Sequence, residues 1–214
     1  MNQETRAVLR AGTAVAVVML TSVLLAQVGR NAGVLNPNLE GAAELAAVPH
    51  LTAALVEQII DRRPFLTMTA FDRVVSTSVA TNRRDELYAK LFIPINLNNA
   101  SREEILLVPG VGDRIAHEFE EYRPYRAIAQ FRREIGKYVD DAEVARLEQF
   151  VFVPVNLNTA SDADILGIPG VGNRLLHEFK EYRPYRSLAQ FRREIEKYVS
   201  DAEVARLERF VTLE

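Results

Sequence analysis

A gapless internal repeat constrains this chain more than any other feature. Residues 95–154 and 155–214 align at an offset of 60, with identity at 41 of the 60 positions. INLNNASREEILLVPGVGDRIAHEFEEYRPYR returns as VNLNTASDADILGIPGVGNRLLHEFKEYRPYR, and QFRREIGKYVDDAEVARLE as QFRREIEKYVSDAEVARLE. The same offset finds a worn third copy upstream, where Asn36, Pro49, Arg63, Pro64 and Phe71 fall on Asn96, Pro109, Arg123, Pro124 and Phe131. A fixed period means one supersecondary unit used three times. The units run over 31–94, 95–154 and 155–214.

Composition narrows the chemistry. A chain of 214 residues, about half of them hydrophobic, can build one to three small cores. It has no cysteine, so disulfides, thiolate metal sites and a cysteine nucleophile are excluded.

The first 30 residues read as a membrane segment. Arg6 and Arg10 precede an uncharged run from Ala11 to Gly29, and Arg30 closes it. At about 1.5 Å per helical residue these 19 residues reach about 28 Å, close to the hydrocarbon core of a bilayer. A cleaved signal peptide is the rival, but its apolar region usually spans only about 7–15 residues. Residues 11–29 are therefore expected to contact the lipid bilayer as a single-pass anchor. The basic N-terminus puts the repeats outside the cytoplasm, as in a bacterial inner-membrane protein facing the periplasm. Beyond residue 30 the chain holds 23 basic and 28 acidic residues, a net charge of −5. A dedicated DNA binder is usually basic on its binding face.

Within residues 95–154, Ser101-Arg102-Glu103-Glu104 is a capping box. The helix after it presents Ile105 and Val108 and stops at Pro109. Pro109-Gly110-Val111-Gly112 reads as a tight turn, where glycine permits positive φ or a close backbone approach. A second helix places Ile115, Phe119 and Tyr122 on one face and ends before Arg123-Pro124. A third covers about Ile128 to Ile135. Asp140 or Asp141 caps a fourth, whose apolar stripe is Val144, Leu147 and Val151. Phe152 to Asn156 is an extended connector. The fold class expected is all-α: an N-terminal transmembrane helix, then three tandem helical units joined by short extended connectors.

Helix, PGVG turn, helix is the pattern of the helix-hairpin-helix family, carried here by ILLVPGVGDRIAHEF and ILGIPGVGNRLLHEF. With NLNxAS before and YRPY after, each unit resembles the tandem helix-hairpin-helix domain of ComEA-like proteins, which are membrane-anchored bacterial DNA receptors. A similar pair occurs in a luminal extrinsic subunit of photosystem II, where it serves assembly. The resemblance implies the fold and leaves two functions open. It also implies glycine turns that hold phosphate on backbone amides. Only two of six turns keep that pattern, because Lys137-Tyr138-Val139, Lys197-Tyr198-Val199 and His50-Leu51-Thr52 lack the glycines.

The candidate DNA or phosphate site is Gly110, Val111, Gly112 and Arg114, with Gly170, Val171, Gly172, Asn173 and Arg174 in the next unit. Amides that open a helix favour an anion; the plainer reading is glycine needed for the turn alone. Asp113 repels phosphate where Asn173 does not, so the third unit is expected to be the better site. The candidate partner interface is Tyr122, Arg123, Tyr125 and Arg126, with Tyr182, Arg183, Tyr185 and Arg186. Glutamates are interspersed there, which suits a salt-bridged surface, and the tyrosines suit packing. His117 and His177 each precede a glutamate by one turn and read as exposed helix pairs rather than metal ligands. No catalytic constellation, cofactor motif or metal-ligand spacing stands out.

These features lead to a non-catalytic, membrane-anchored scaffold or stabilising subunit whose partners are subunits of a larger membrane protein complex. The alternative is a receptor for the phosphate backbone of double-stranded DNA.

Overall fold

A computed structural model describes residues 33–214. Each unit contains four short helices. The first has α1 (Ala42–Ala46), α2 (Ala53–Asp61), α3 (Met68–Val75) and α4 (Thr81–Tyr88). The second has β1 (Ile95–Asn96), α5 (Arg102–Leu106), α6 (Asp113–Glu121), α7 (Ile128–Ile135), α8 (Asp141–Glu148) and β2 (Val151–Phe152). The third has β3 (Val155–Asn156), α9 (Asp162–Leu166), α10 (Asn173–Glu181), α11 (Leu188–Ile195), α12 (Asp201–Glu208) and β4 (Val211–Thr212).

Two parts of the expected fold class need correction. The expected transmembrane helix at 11–29 lies outside the described residues. Among those described, no helix is long and apolar enough to cross a membrane. The longest have nine residues, or about 14 Å of rise against the roughly 30 Å needed. The units are also not purely helical. Residues expected to be plain connectors pair in parallel, β1 with β2 and β3 with β4, and Leu35 bridges Leu91 in the first unit. Each unit therefore closes on itself: its last residues return to hydrogen-bond its first, as in Ile95 N to Phe150 O at 2.9 Å and Leu97 N to Phe152 O at 3.0 Å. Val151, expected on the α8 stripe, belongs to this pair, because α8 ends at Glu148.

The local signals explain the helices. Ser101 accepts from the amide of Glu104, whose carboxylate accepts in return from the Ser101 amide. Asp140 caps α8 through the Glu143 amide. Leu55 and Ile59 are buried one turn apart on α2, and Phe71, Phe119, Phe131, Phe179 and Phe191 are buried on α3, α6, α7, α10 and α11. Phe119 meets Phe131 edge-on at 5.2 Å, and Phe179 meets Phe191 likewise at 5.1 Å.

The units share apolar surface rather than hanging as separate beads. The cores of the first and second are continuous, with Phe92 meeting Phe150 at 5.0 Å. Phe152 leaves the second unit and enters the core of the third, 4.4 Å from Phe210. The third unit also reaches back: Arg209 donates to the Pro94 carbonyl at 2.9 Å. Burial is the main cause that lowers the Arg209 pKa, to about 10, with Glu104 opposing and Arg206 adding to the shift.

Candidate nucleic-acid and partner interface

The two glycines of each PGVG turn are in different situations. Gly110 and Gly170 have φ of 77° and 82°, the left-handed region where a Cβ is costly. In the first unit His50 takes the same conformation at φ 67° and bonds Glu86 at 2.8 Å. Gly112 and Gly172 are different. They are the N-caps of α6 and α10, at φ −102° and −108°, a conformation open to any residue. A Cβ built on either meets no atom within 4 Å. Neither cap has a side chain to accept from the first-turn amides, whereas Thr52 at the same place in the first unit accepts from Leu55 N.

Val111 and Val171 point into the cores. Arg114 lies 5.8 Å from the centre of the Tyr138 ring, and Arg174 repeats the contact on Tyr198. Asp113 is held by Arg102 at 2.8 Å. Asn173 lines a cleft of about 420 Å³, beside Asp162 and Lys180, which pair at 2.6 Å. The third turn, expected to be the better phosphate site, is the more crowded of the two. A Cβ on Gly170 would lie 3.2 Å from Leu39 of the first unit and 2.7 Å from Arg206, and Arg206 is buried beneath the turn with its Nη2 on the Pro169 carbonyl at 2.6 Å.

The YRPYR segments are largely turned inward. Arg123 donates from Nε to Leu97 O at 2.6 Å and from Nη2 to Ala100 O at 2.7 Å. Arg183 does the same to Leu157 and Ala160, and Arg63 to Pro37 and Glu40. Tyr125 and Tyr185 are buried, and burial is the first cause that raises both hydroxyl pKa values. Tyr122 and Tyr182 are half-buried and bond Tyr138 and Tyr198 through their hydroxyls at 2.9 and 2.8 Å. Of the eight residues, Arg126 and Arg186 are the ones whose guanidinium groups are exposed with no ion pair among the described residues.

The FRRE arginines are occupied as well. Arg132 makes two bonds to Glu148, of 2.6 and 2.5 Å, and Arg192 engages Glu208 in the same way. Arg133 and Lys137 converge on Glu134, and Arg193 and Lys197 on Glu194. Hydrogen bonds from the lysine and then the arginine hold both carboxyls below their ordinary pKa.

Two features escaped sequence reading. One is the closure role of Arg63, Arg123 and Arg183, whose recurrence in all three units, even the worn one, was the available signal. The other is a cleft of about 410 Å³ where the second unit meets the third. His177, Glu178 and Glu181 bring ligand-type atoms within 4.8 Å of one another. His177 and Glu181 form an exposed pair at 3.2 Å one helical turn apart, and Glu178 is buried beside Tyr198, so the arrangement is that of a helix surface.

Comparison with family models, with curated proteins and with solved structures finds no match.

Proposed function

We propose that this chain is a non-catalytic scaffold that joins or stabilises a larger protein complex. One observation carries the reading: most of the recurrent arginines of the YRPYR and FRRE segments already have partners within their own unit, while Arg114, Arg126, Arg174 and Arg186 stay exposed without an ion pair among the described residues. Three hold backbone carbonyls, and Arg132, Arg133, Arg192 and Arg193 are paired with glutamates. Phosphate binding needs cations free to replace counterions. Self-closed units with joined cores supply a rigid body that presents paired charges and half-buried tyrosines, which suits recognition of a folded partner. The test is to isolate the full chain at its native level, cross-link, and identify what co-migrates. A defined complex in constant ratio is the expected result; a chain that migrates alone sinks the reading.

Binding of duplex DNA through its backbone is the second reading, and the cap glycines favour it. Nothing in the fold requires glycine at 112 or 172, and uncapped amides there suit a phosphate oxygen. The same preparation, treated with nuclease, separates the two: a complex that survives nuclease rests on protein contacts.

A further inference from the structure

The two junctions between units are built from corresponding positions but are filled differently. At the first, α3 packs on α5 and the Met68 amide donates to Glu104 Oε1 at 2.8 Å. Glu104 serves both sides, since its other oxygen accepts from the Ser101 amide at 3.3 Å. Met68 is fully buried. At the second junction the residues corresponding to Thr67, Met68, Thr69 and Glu104 are Ala127, Ile128, Ala129 and Asp164, each with a shorter side chain. Ile128 is only half-buried and Ala129 is exposed. Asp164 spends Oδ2 on Ser161, at 3.0 Å from its amide and 2.7 Å from its hydroxyl, and makes no bond to α7. Those four shortened residues line the cleft of about 410 Å³, over a floor of Val151, Phe152 and Val153.

The cleft has a polarity. α7 is the only one of α3, α7 and α11 whose N-cap lacks a side-chain acceptor: Thr67 and Ser187 cap the other two, and Ala127 cannot. Arg126, without an ion pair among the described residues, and Arg132, neutralised by Glu148, stand on the same wall. Asp164 is the one acidic residue in the lining, held to its own cap.

We infer that this cleft is a docking site for a carboxylate flanked by apolar side chains, supplied by a glutamate-bearing segment of a partner protein. The first junction shows what fills the equivalent space: Glu104 on the helix N-terminus, carried by the short helix α5 with the apolar Ile105 buried beside it. One methylene fewer on the acid, alanine in place of two threonines and isoleucine in place of methionine leave the second junction with the same helix start uncovered and no internal ligand. The inference rests on the scaffold reading and names the chemistry of its partner.

The test uses the full chain, labelled with nitrogen-15, and two N-acetylated, C-amidated peptides. One copies residues 99–108; the other carries glutamine at the place of Glu104. The first peptide should give saturable shifts at the amides of Ile128, Ala129 and Val153, and the glutamine peptide should bind about tenfold more weakly. Asp164→Glu and Ala127→Thr, which restore the internal ligand and cap, should each weaken the first peptide by about tenfold with the fold intact. No saturable shift at millimolar peptide, or equal binding of the two peptides, overturns the site. If the native complex persists while the titration fails, the scaffold reading stands and this cleft is not its docking site. If the peptide binds and the chain migrates alone, the cleft stands and the scaffold reading falls.

Discussion

Arg123 holds the carbonyl of Leu97 at 2.6 Å, and so joins the turn after the second helix of its unit to the loop that opens the unit. The loop returns the contact. Asn98 donates to Tyr125 O at 2.9 Å and accepts from Tyr125 N at 2.7 Å. Asn38 with Phe65 and Asn158 with Tyr185 repeat both bonds. Asparagine and arginine thus persist in the worn unit because closure depends on them.

Arg123→Lys is therefore not conservative, because an ammonium cannot replace the planar fork on two carbonyls. Hydrogen bonds to charged groups contribute roughly 1.5–3 kcal/mol. The substitution should lower unfolding free energy by about 2 kcal/mol, read from the denaturation midpoint at unchanged slope. A loss within experimental error would show that the asparagine bonds and the strand pair suffice.

Glycine substitutions should split by position. Gly110→Ala places a Cβ at φ 77° and 3.1 Å from Arg146, and should cost about 1 kcal/mol or more. Gly112→Ala meets open space at φ −102°, where alanine is only a poorer N-cap than glycine, and should cost less, about 0.5 kcal/mol. Thermal unfolding of the pair checks this; equal losses would contradict the assigned roles.

Removing the carboxylate of Glu104 should unfasten the first junction. Glu104→Ala leaves the Met68 amide buried without its acceptor, a loss of about 2 kcal/mol. Hydrogen exchange should speed up at Met68 and at Ser101, while amides of the third unit keep their protection. Uniform acceleration across the chain would show that the units unfold as one.

Acid stability should follow Glu134 and Glu194. Their folded pKa values are lowered from 4.5 by Lys137 with Arg133 and by Lys197 with Arg193. A carboxyl with a depressed folded pKa binds protons more readily when unfolded, so its contribution is present above pH 4.5 and is lost as pH falls through the folded value. Both side chains' cationic partners are exposed, so the effect is small. Glu134→Gln with Glu194→Gln should flatten the acid limb below that pH; an unchanged limb would assign it to other carboxyls.

The parts legible in the sequence are those decided by neighbours along the chain. Ser101 with Glu104 marks a helix start because both bonds lie within one turn. Arg-Pro marks the stop of α6 near Tyr122. His117 and Glu121 pair on an exposed helix face at 2.9 Å, as their spacing suggests. The strands were not legible, because two residues are too few to show a period of two, and Val151 suited a helix stripe equally well. The carbonyl targets of Arg123 lie 23 and 26 residues away, beyond any local signal. The cleft between the second and third units emerges only when Asp164 is compared with Glu104 in three dimensions, since sequence reading treats the two acids alike.

The central claim is that most of the recurrent arginines are committed to partners within their own unit and that the exposed remainder, Arg114, Arg126, Arg174 and Arg186, does not make a strong phosphate site. Titrating the full chain with duplex DNA at physiological salt tests it most directly. The account predicts a dissociation constant no tighter than about 10 µM, within the non-specific range, and unaffected by Gly112→Ala with Gly172→Ala. Sub-micromolar affinity that collapses in that double variant, with the fold intact, would contradict it and make the cap glycines a phosphate site.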